Sequence, residues 1–279
     1  MAASTTKAKT KAPPAPAARE ARPLAKNHDR YIVPGLRRGL TILQLFNRSR
    51  AELSLSGIAK AMSVPRSTAF RLLYTLESMG FVERVHGDRG YRLCTRILTL
   101  GFEYLASLDI VDVSRPFLEL LRDDTGASSH LAVRDGREII FLSRVPTRHP
   151  LTSTAVIGGR RPAHATPMGR MMLCALQEAE IEELYRGTEL KAYTDQTPTS
   201  VAQLLAILRK DRARGFVVSR GSFEIGGASI AAPIRNAAGE IVAAIEIAGP
   251  NPAFNLDELD TRLKDMVCKA AREISARLG

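Results

Sequence analysis

Arg66, Ser67, Thr68, Arg71, Tyr74 and Thr75 bring guanidinium, hydroxyl and phenol groups into ten consecutive residues. Arginine hydrogen-bonds guanine edges bidentately, and hydroxyls reach base edges or phosphate oxygens, so this set suits a nucleic-acid groove. Only one acid, Glu77, follows near the end of the stretch. The implied chemistry is recognition rather than bond making. For Arg66 two roles stay open, base-edge reading and phosphate anchoring, because most protein–DNA contacts go to phosphate or sugar.

The elements that must hold these groups are legible from apolar spacing. Ala69, Leu72, Leu73 and Leu76 recur at helical intervals behind the polar face, and Leu55, Ile58, Ala59 and Met62 do so in the segment before. Pro65 suits a first helical turn and Gly80 a terminus, so the second helix is expected over Pro65–Met79. Phe81–Val85, the HGDRG turn and Tyr91–Leu93 predict a hairpin whose Arg84, His86 and Arg89 would touch the DNA backbone. Leu36, Leu40, Leu43 and Phe46/Asn47 predict a preceding helix that packs across the other two. The sum is a winged helix-turn-helix over residues 31–93.

Two amphipathic helices alone are a common pattern, and charge distribution strengthens the assignment. Residues 1–30 hold seven Lys/Arg against two Asp/Glu, and residues 31–93 hold ten against four. The remaining 186 residues carry 23 of each sign, so the whole net charge of +11 lies in the N-terminal third. A basic patch is the electrostatic footprint of a polyanion partner.

At 279 residues and 45% hydrophobic content the chain is expected to form two domains. Residues 1–30, rich in Ala, Pro and Lys, are expected to be a disordered basic arm. No apolar run approaches a membrane span and no secretory signal is apparent, which points to a cytoplasmic protein without a membrane partner. Cys94, Cys174 and Cys268 are odd in number and far apart, which fits small buried thiols in a reducing compartment.

Residues 94–110 predict a linker helix with Leu98, Phe102, Leu105 and Leu108 along one face. That stripe either packs on its own wing or pairs with the same helix of a second copy. From 111 to 279 helices and strands alternate. Helices are expected at Arg115–Asp124, Met168–Leu176, Glu178–Tyr185, Val201–Arg214 and after Asn255. Strands are expected at Ser129–Val133, Ile139–Val145, Leu151–Ile157, Phe216–Arg220, Ala228–Ile234 and Ile241–Ala248. An Asp135-Gly136 turn joins the first two strands, and Gly158-Gly159 is read as a turn. Antiparallel strands with flanking helices make an α+β sensing-type domain.

An enzyme is not expected. His130, His149 and His164 share the C-terminal region with Ser128, Ser129, Ser143 and Cys174, but no GxSxG, HExxH, GxGxxG or P-loop is present. No catalytic residue, cofactor or metal site is assigned, and His164 is read as structural. An architectural protein that binds nucleic acid without sequence preference is the rival reading. The large charge-neutral C-terminal region argues against it.

The chain resembles the IclR family of bacterial transcriptional regulators from Tyr31 to the C-terminus. The residues that carry the resemblance are YIVPGLRRGLTILQLF, LSLSGIAKAMSVPRSTAFRLLYTLESMGFV, HATPMGR and SIAAPIRNAAGEIVAAIEIAGP. YIVPGLxRGL with TxMGR resembles the branch that controls β-ketoadipate and other aromatic-acid catabolism.

The resemblance implies a winged helix-turn-helix joined by a linker helix to a GAF-like effector-binding domain. It implies a homodimer or homotetramer on double-stranded operator DNA, a small organic-acid effector, and contact with RNA polymerase. The DNA contacts would be Arg66, Ser67, Thr68, Arg71, Tyr74, Thr75, Arg84 and Arg89. One pocket wall would be Thr166, Pro167, Met168 and Gly169, where a helix start suits a carboxylate. The opposite wall would be Ser219, Gly227, Ser229, Glu246 and Ala248.

Glu246 and Ala248 stand where the family usually has small polar residues. Glu246 bonds a ligand hydroxyl or ammonium, or is neutralised by an arginine such as Arg144 or Arg160, or faces solvent. Ile241, Ala243, Ile245 and Ile247 are expected on the helix-covered face of their strand, and Glu246 on the other.

Overall fold

The computed structural model describes residues 31–47, 49–85, 90–147, 155–250 and 256–278. The arm over residues 1–30, the wing tip with His86 and Arg89, and His149 lie outside the described residues. The chain divides into two compact units between Ser107 and Leu108.

The N-terminal unit runs α1 (Pro34–Leu45), β1 (Glu52–Leu53), α2 (Leu55–Ala61), α3 (Arg66–Ser78), β2 (Val82–Arg84), β3 (Tyr91–Leu93) and α4 (Arg96–Ala106). Ser54 caps α2, its hydroxyl accepting from the Gly57 amide at 3.0 Å, a bond that typically contributes about 1 kcal/mol. The α2–α3 turn puts Ser63 in the left-handed region at φ 51°. Pro65 takes the N-cap position with an extended ψ of 146°, so α3 begins at Arg66, one residue later than expected. Ile42, Phe46, Ile58, Ala59, Ala69, Leu73, Leu76, Val82 and Tyr91 form the core. Strands β1, β3 and β2 make a small antiparallel wing sheet in that order.

One expectation fails here, and one alternative of another. In α1 the core side is Ile42 with Phe46, whereas Leu36 and Leu40 are exposed. Helix α4 buries none of its residues, and Leu98, Leu100, Phe102 and Tyr104 are all exposed. Its first turn meets the wing, where the Arg96 guanidinium lies over the Phe81 ring.

The C-terminal unit runs α5 (Asp109–Thr125), β4 (Ser128–Asp135), β5 (Glu138–Val145), β6 (Arg160–Pro162), α6 (Pro167–Leu173), α7 (Glu178–Leu184) and α8 (Val201–Arg214). It continues with β7 (Val217–Arg220), β8 (Gly227–Arg235), β9 (Ile241–Pro250) and α9 (Lys264–Arg277). Helix α5 starts six residues before the expected Arg115, with Asp109 and Asp112 in its first turn, where carboxylates oppose the helix dipole. Gly126 ends it at φ 71°. The described part of the strand expected at Leu151–Ile157 is not a strand. The GGRRP segment instead supplies β6, too short to show a period of two in the sequence.

The six strands form one antiparallel sheet in the order β6-β5-β4-β9-β8-β7. Helices α5 and α9 cover the face of Ile230, Ile245 and Ile247, and α6 covers the face of Ala231 and Ala244. A register shift beside Ile234/Arg235 pairs Ile241 with Arg235 and turns Ile241 to the α6 face, away from its expected companions. Every residue of α6 is buried. Arg170 on α6 makes a two-pronged ion pair with Asp211 on α8 (Nε–Oδ2 2.9 Å, Nη2–Oδ1 3.2 Å), both side chains buried. Burial raises the Asp211 carboxyl above its ordinary range despite the arginine beside it.

A β-carbon at Gly169 would lie 2.3 Å from the Ala163 backbone. Gly169→Ala should therefore lower stability by roughly 1–3 kcal/mol, the usual cost of overpacking. Urea unfolding followed by far-ultraviolet circular dichroism reads this, and an unchanged midpoint would contradict the close seat of α6.

Candidate functional site

On α3, Ala69, Leu73 and Leu76 are buried at i, i+4 and i+7. Ser67, Arg71 and Tyr74 repeat that spacing on the opposite side, and all three are exposed. Arg66, the first helical residue, is exposed at the leading end. Among the described residues Arg66 and Arg71 engage no carboxylate, so two permanent cations stand without a counter-ion, one at the leading end of α3 and one on this face.

The remaining candidates sit differently. Thr68 is half-buried. Thr75 spends its hydroxyl proton on the Arg71 carbonyl at 3.0 Å. Arg84 is turned onto its own unit, 3.3 Å from Glu77 and over the rings of Phe70 and Tyr91. Arg89 lies outside the described residues.

The C-terminal unit holds a cavity of about 410 Å³. The start of α6 and the loop between β7 and β8 enclose it over the sheet. Of the nine residues expected at a pocket, Thr166, Pro167, Ser219, Gly227, Ser229, Glu246 and Ala248 line it. Met168 and Gly169 do not: they lie behind the wall, in contact with the core. The helix-start reading also changes, because the Thr166 hydroxyl accepts the Gly169 amide at 3.3 Å and occupies that donor.

Sequence reasoning missed Arg161, Phe141, Ser222 and Phe223, which also line the cavity. The GSFEIGG loop between two strand patterns was the available signal. Gly221 and Gly226, at φ 102° and 73°, let it fold back over the sheet. The Arg161 guanidinium lies 5.3 Å from the centre of the Phe223 ring.

The loop is tied down by a directed chain of hydroxyls. Ser222 donates to the Ala165 carbonyl at 3.0 Å, so the 2.7 Å contact between the Ser219 and Ser222 hydroxyls takes its proton from Ser219. The Ser222 amide closes the ring by donating to the Ser219 oxygen at 3.1 Å.

Sheet register fixes what faces the cavity. Ser219, Ser229, Ala248 and Ser128 form one cross-strand row on β7, β8, β9 and β4. Ala231, Glu246, His130 and Arg144 form the next on β8, β9, β4 and β5. Glu246 is buried, which removes the solvent-facing option. Arg160 is held by Asp135 and Glu138, and His130 stands between Glu246 and Arg144 in the row.

His164 is buried against Tyr185 and bonded to the Lys191 carbonyl, and burial holds its imidazole below the ordinary range. Of the cysteines expected to be buried, only Cys174 is; its thiol is pushed up to about 12 by burial. Cys94 and Cys268 are half-buried. Among the described residues no cluster of three His, Cys, Asp or Glu could hold a metal, and no helix is long and apolar enough to cross a membrane.

Comparison with known proteins matches both units. Residues 35–86 match the family defined as IclR helix-turn-helix domain, and residues 102–276 match Bacterial transcriptional regulator IclR C-terminal. The Pca regulon regulatory protein of Pseudomonas putida is 31% identical over 268 residues, 96% of this chain and 91% of that protein. The Thermotoga maritima IclR structure superposes with a TM-score of 0.69 at 28% identity, over 88% of this chain and 98% of that one. An IclR homologue from Microbacterium hydrocarbonoxydans, solved with 4-hydroxybenzoate, gives 0.76 at 27% identity, over 88% and 98%.

Ser222→Ala should cost about 1 kcal/mol of stability and speed amide exchange in residues 219–227. Hydrogen exchange checks this, and an unaltered loop would show that the hydroxyl chain does not hold it.

Proposed function

The chain belongs to the IclR family of bacterial transcriptional regulators, and from that premise we propose that it controls a catabolic operon in response to a small organic acid. The observation that carries this is the cavity over the sheet of the C-terminal unit, whose 410 Å³ falls in the range that encloses small organic ligands. Its relatives favour an aromatic acid: one governs the Pca regulon and another was solved with 4-hydroxybenzoate. Arg161 supplies a cation for the carboxylate, and Thr166, Pro167, Ser219, Gly227, Ser229, Glu246 and Ala248 shape the remainder. Met168 and Gly169 act from behind by fixing where Thr166 and Pro167 stand.

Helix α3 enters the major groove of double-stranded operator DNA, with Arg66, Ser67, Thr68, Arg71, Tyr74 and Thr75 toward it. The wing, with Arg84 and Arg89, lies along the backbone. The exposed Leu98, Leu100, Phe102 and Tyr104 of α4 pair with the same helix of a second copy, giving a homodimer that reads two half-sites or doubles to a homotetramer. RNA polymerase is the further partner in this scheme. Ligand in the cavity changes DNA binding only as far as it prefers one arrangement of the two heads over another.

The test is fluorescence anisotropy on DNA from upstream of the chain's own gene. Arg66→Ala and Arg71→Ala should each weaken binding by about 1–3 kcal/mol if they read bases, with the circular dichroism spectrum unchanged. Wild-type affinity in both would overturn the placement of α3. Ser229→Leu should fill the cavity and erase the calorimetric signal of 4-hydroxybenzoate or whichever acid binds the parent chain. An unchanged isotherm would place the ligand elsewhere.

A further inference from the structure

The carboxylate of Glu246 faces the cavity and accepts no hydrogen bond from any described residue. The residue is 7% exposed, so water meets it only through the cavity itself. The one described group at ion-pair range is His130, whose Nδ1 lies 3.4 Å away. His130 is fully buried, and neither of its ring nitrogens has a hydrogen-bond partner among the described residues. Phe141 presents an edge to the imidazole, with ring centres 5.5 Å apart, and lines the same cavity. On the other side of Glu246 the row continues with Ala231, which offers no polar side-chain group. The β9–β4 register therefore brings a carboxylate and an imidazole to one corner of the cavity without a hydrogen-bond partner among the described residues.

Such a corner is costly until something supplies donors. A second carboxylate placed there would meet like charge, so the corner acts against dicarboxylic acids. The cavity's cation is elsewhere. Arg161 is on edge strand β6, with β5 and β4 between it and β9. Three strand spacings put the two backbones about 14 Å apart along the sheet, and the side chains reach inward from there.

We infer that the ligand is bipolar: its carboxylate goes to Arg161, and a hydroxyl or ammonium group at its far end donates to Glu246 beside His130. This rests on the reading of the cavity as an effector site. Hydroxyl and ammonium share the required chemistry, an O–H or N–H directed at a carboxylate. A site built to bind such a donor rejects the analogue that lacks it, because the buried acceptor is then left unmatched.

Isothermal titration of the full chain with matched acids tests this. Benzoate is compared with 4-hydroxybenzoate, 4-methoxybenzoate and 4-(aminomethyl)benzoate, and hexanoate with 6-hydroxyhexanoate and 6-aminohexanoate. In the frame that binds, a donor-bearing acid should be roughly ten- to hundred-fold tighter than its plain parent, the range for a hydrogen bond to a charged group. The methoxy acid should fall back to the plain value. The tighter of hydroxyl and ammonium identifies the donor.

In Glu246→Leu, which leaves no acceptor at that position, the preference over the plain acid should collapse. Plain acids that bind as tightly as their donor-bearing partners would overturn the inference and leave the effector site standing. So would a preference that survives in Glu246→Leu. No heat from any acid would overturn the organic-acid reading itself, and this inference with it.

Discussion

Helix α6 sits so near the chain that precedes it that residue 169 has no room for a β-carbon, and the C-terminal unit is arranged around that contact. All seven residues of α6 are buried, and the Arg170–Asp211 pair anchors it to α8. A seven-residue helix spans about 10 Å, whereas the ten residues of β9 run about 34 Å. The helix therefore covers the Ala231–Ala244 part of the sheet and stops at Thr166 and Pro167. Beyond that point the β7–β8 loop provides the roof, and the cavity is the space between. Removing one partner of a buried ion pair typically costs about 3–5 kcal/mol, so the helix has little freedom to slide over the opening.

The two units divide the work by charge. The N-terminal third carries the whole net positive charge, and Arg66 and Arg71 place cations at the leading end and on the exposed face of α3. The C-terminal portion is balanced in sign, so long-range attraction to a polyanion resides in the winged unit and in the residues that precede it. Each unit has its own core, which lets one read DNA while the other reads a ligand.

Much of this was legible in the sequence because local periodicity decided it. The stripe of Ala69, Leu73 and Leu76 and the polar groups opposite them need only helical geometry. Seven cavity residues were found through resemblance of motif order. The rest depended on contacts between distant segments. In α1, apolar residues fall on several sides, and only packing against α3 selects Ile42 over Leu36 and Leu40. The β8–β9 register shift, which reverses Ile241, leaves no trace in an alternating pattern. The surroundings of Glu246 follow from the pairing of β9 with β4, which no local window contains. Arg161 and Phe223 meet only because a loop closes over an edge strand.

Footprinting of DNA upstream of the chain's own and adjacent genes, with and without the acid panel, tests the central claim that a ligand in the C-terminal unit alters operator recognition by the N-terminal one. The account predicts a discrete site with two half-sites whose protection changes with one class of acid. Diffuse protection that fades smoothly with salt and ignores every acid would leave only phosphate attraction, and would contradict it.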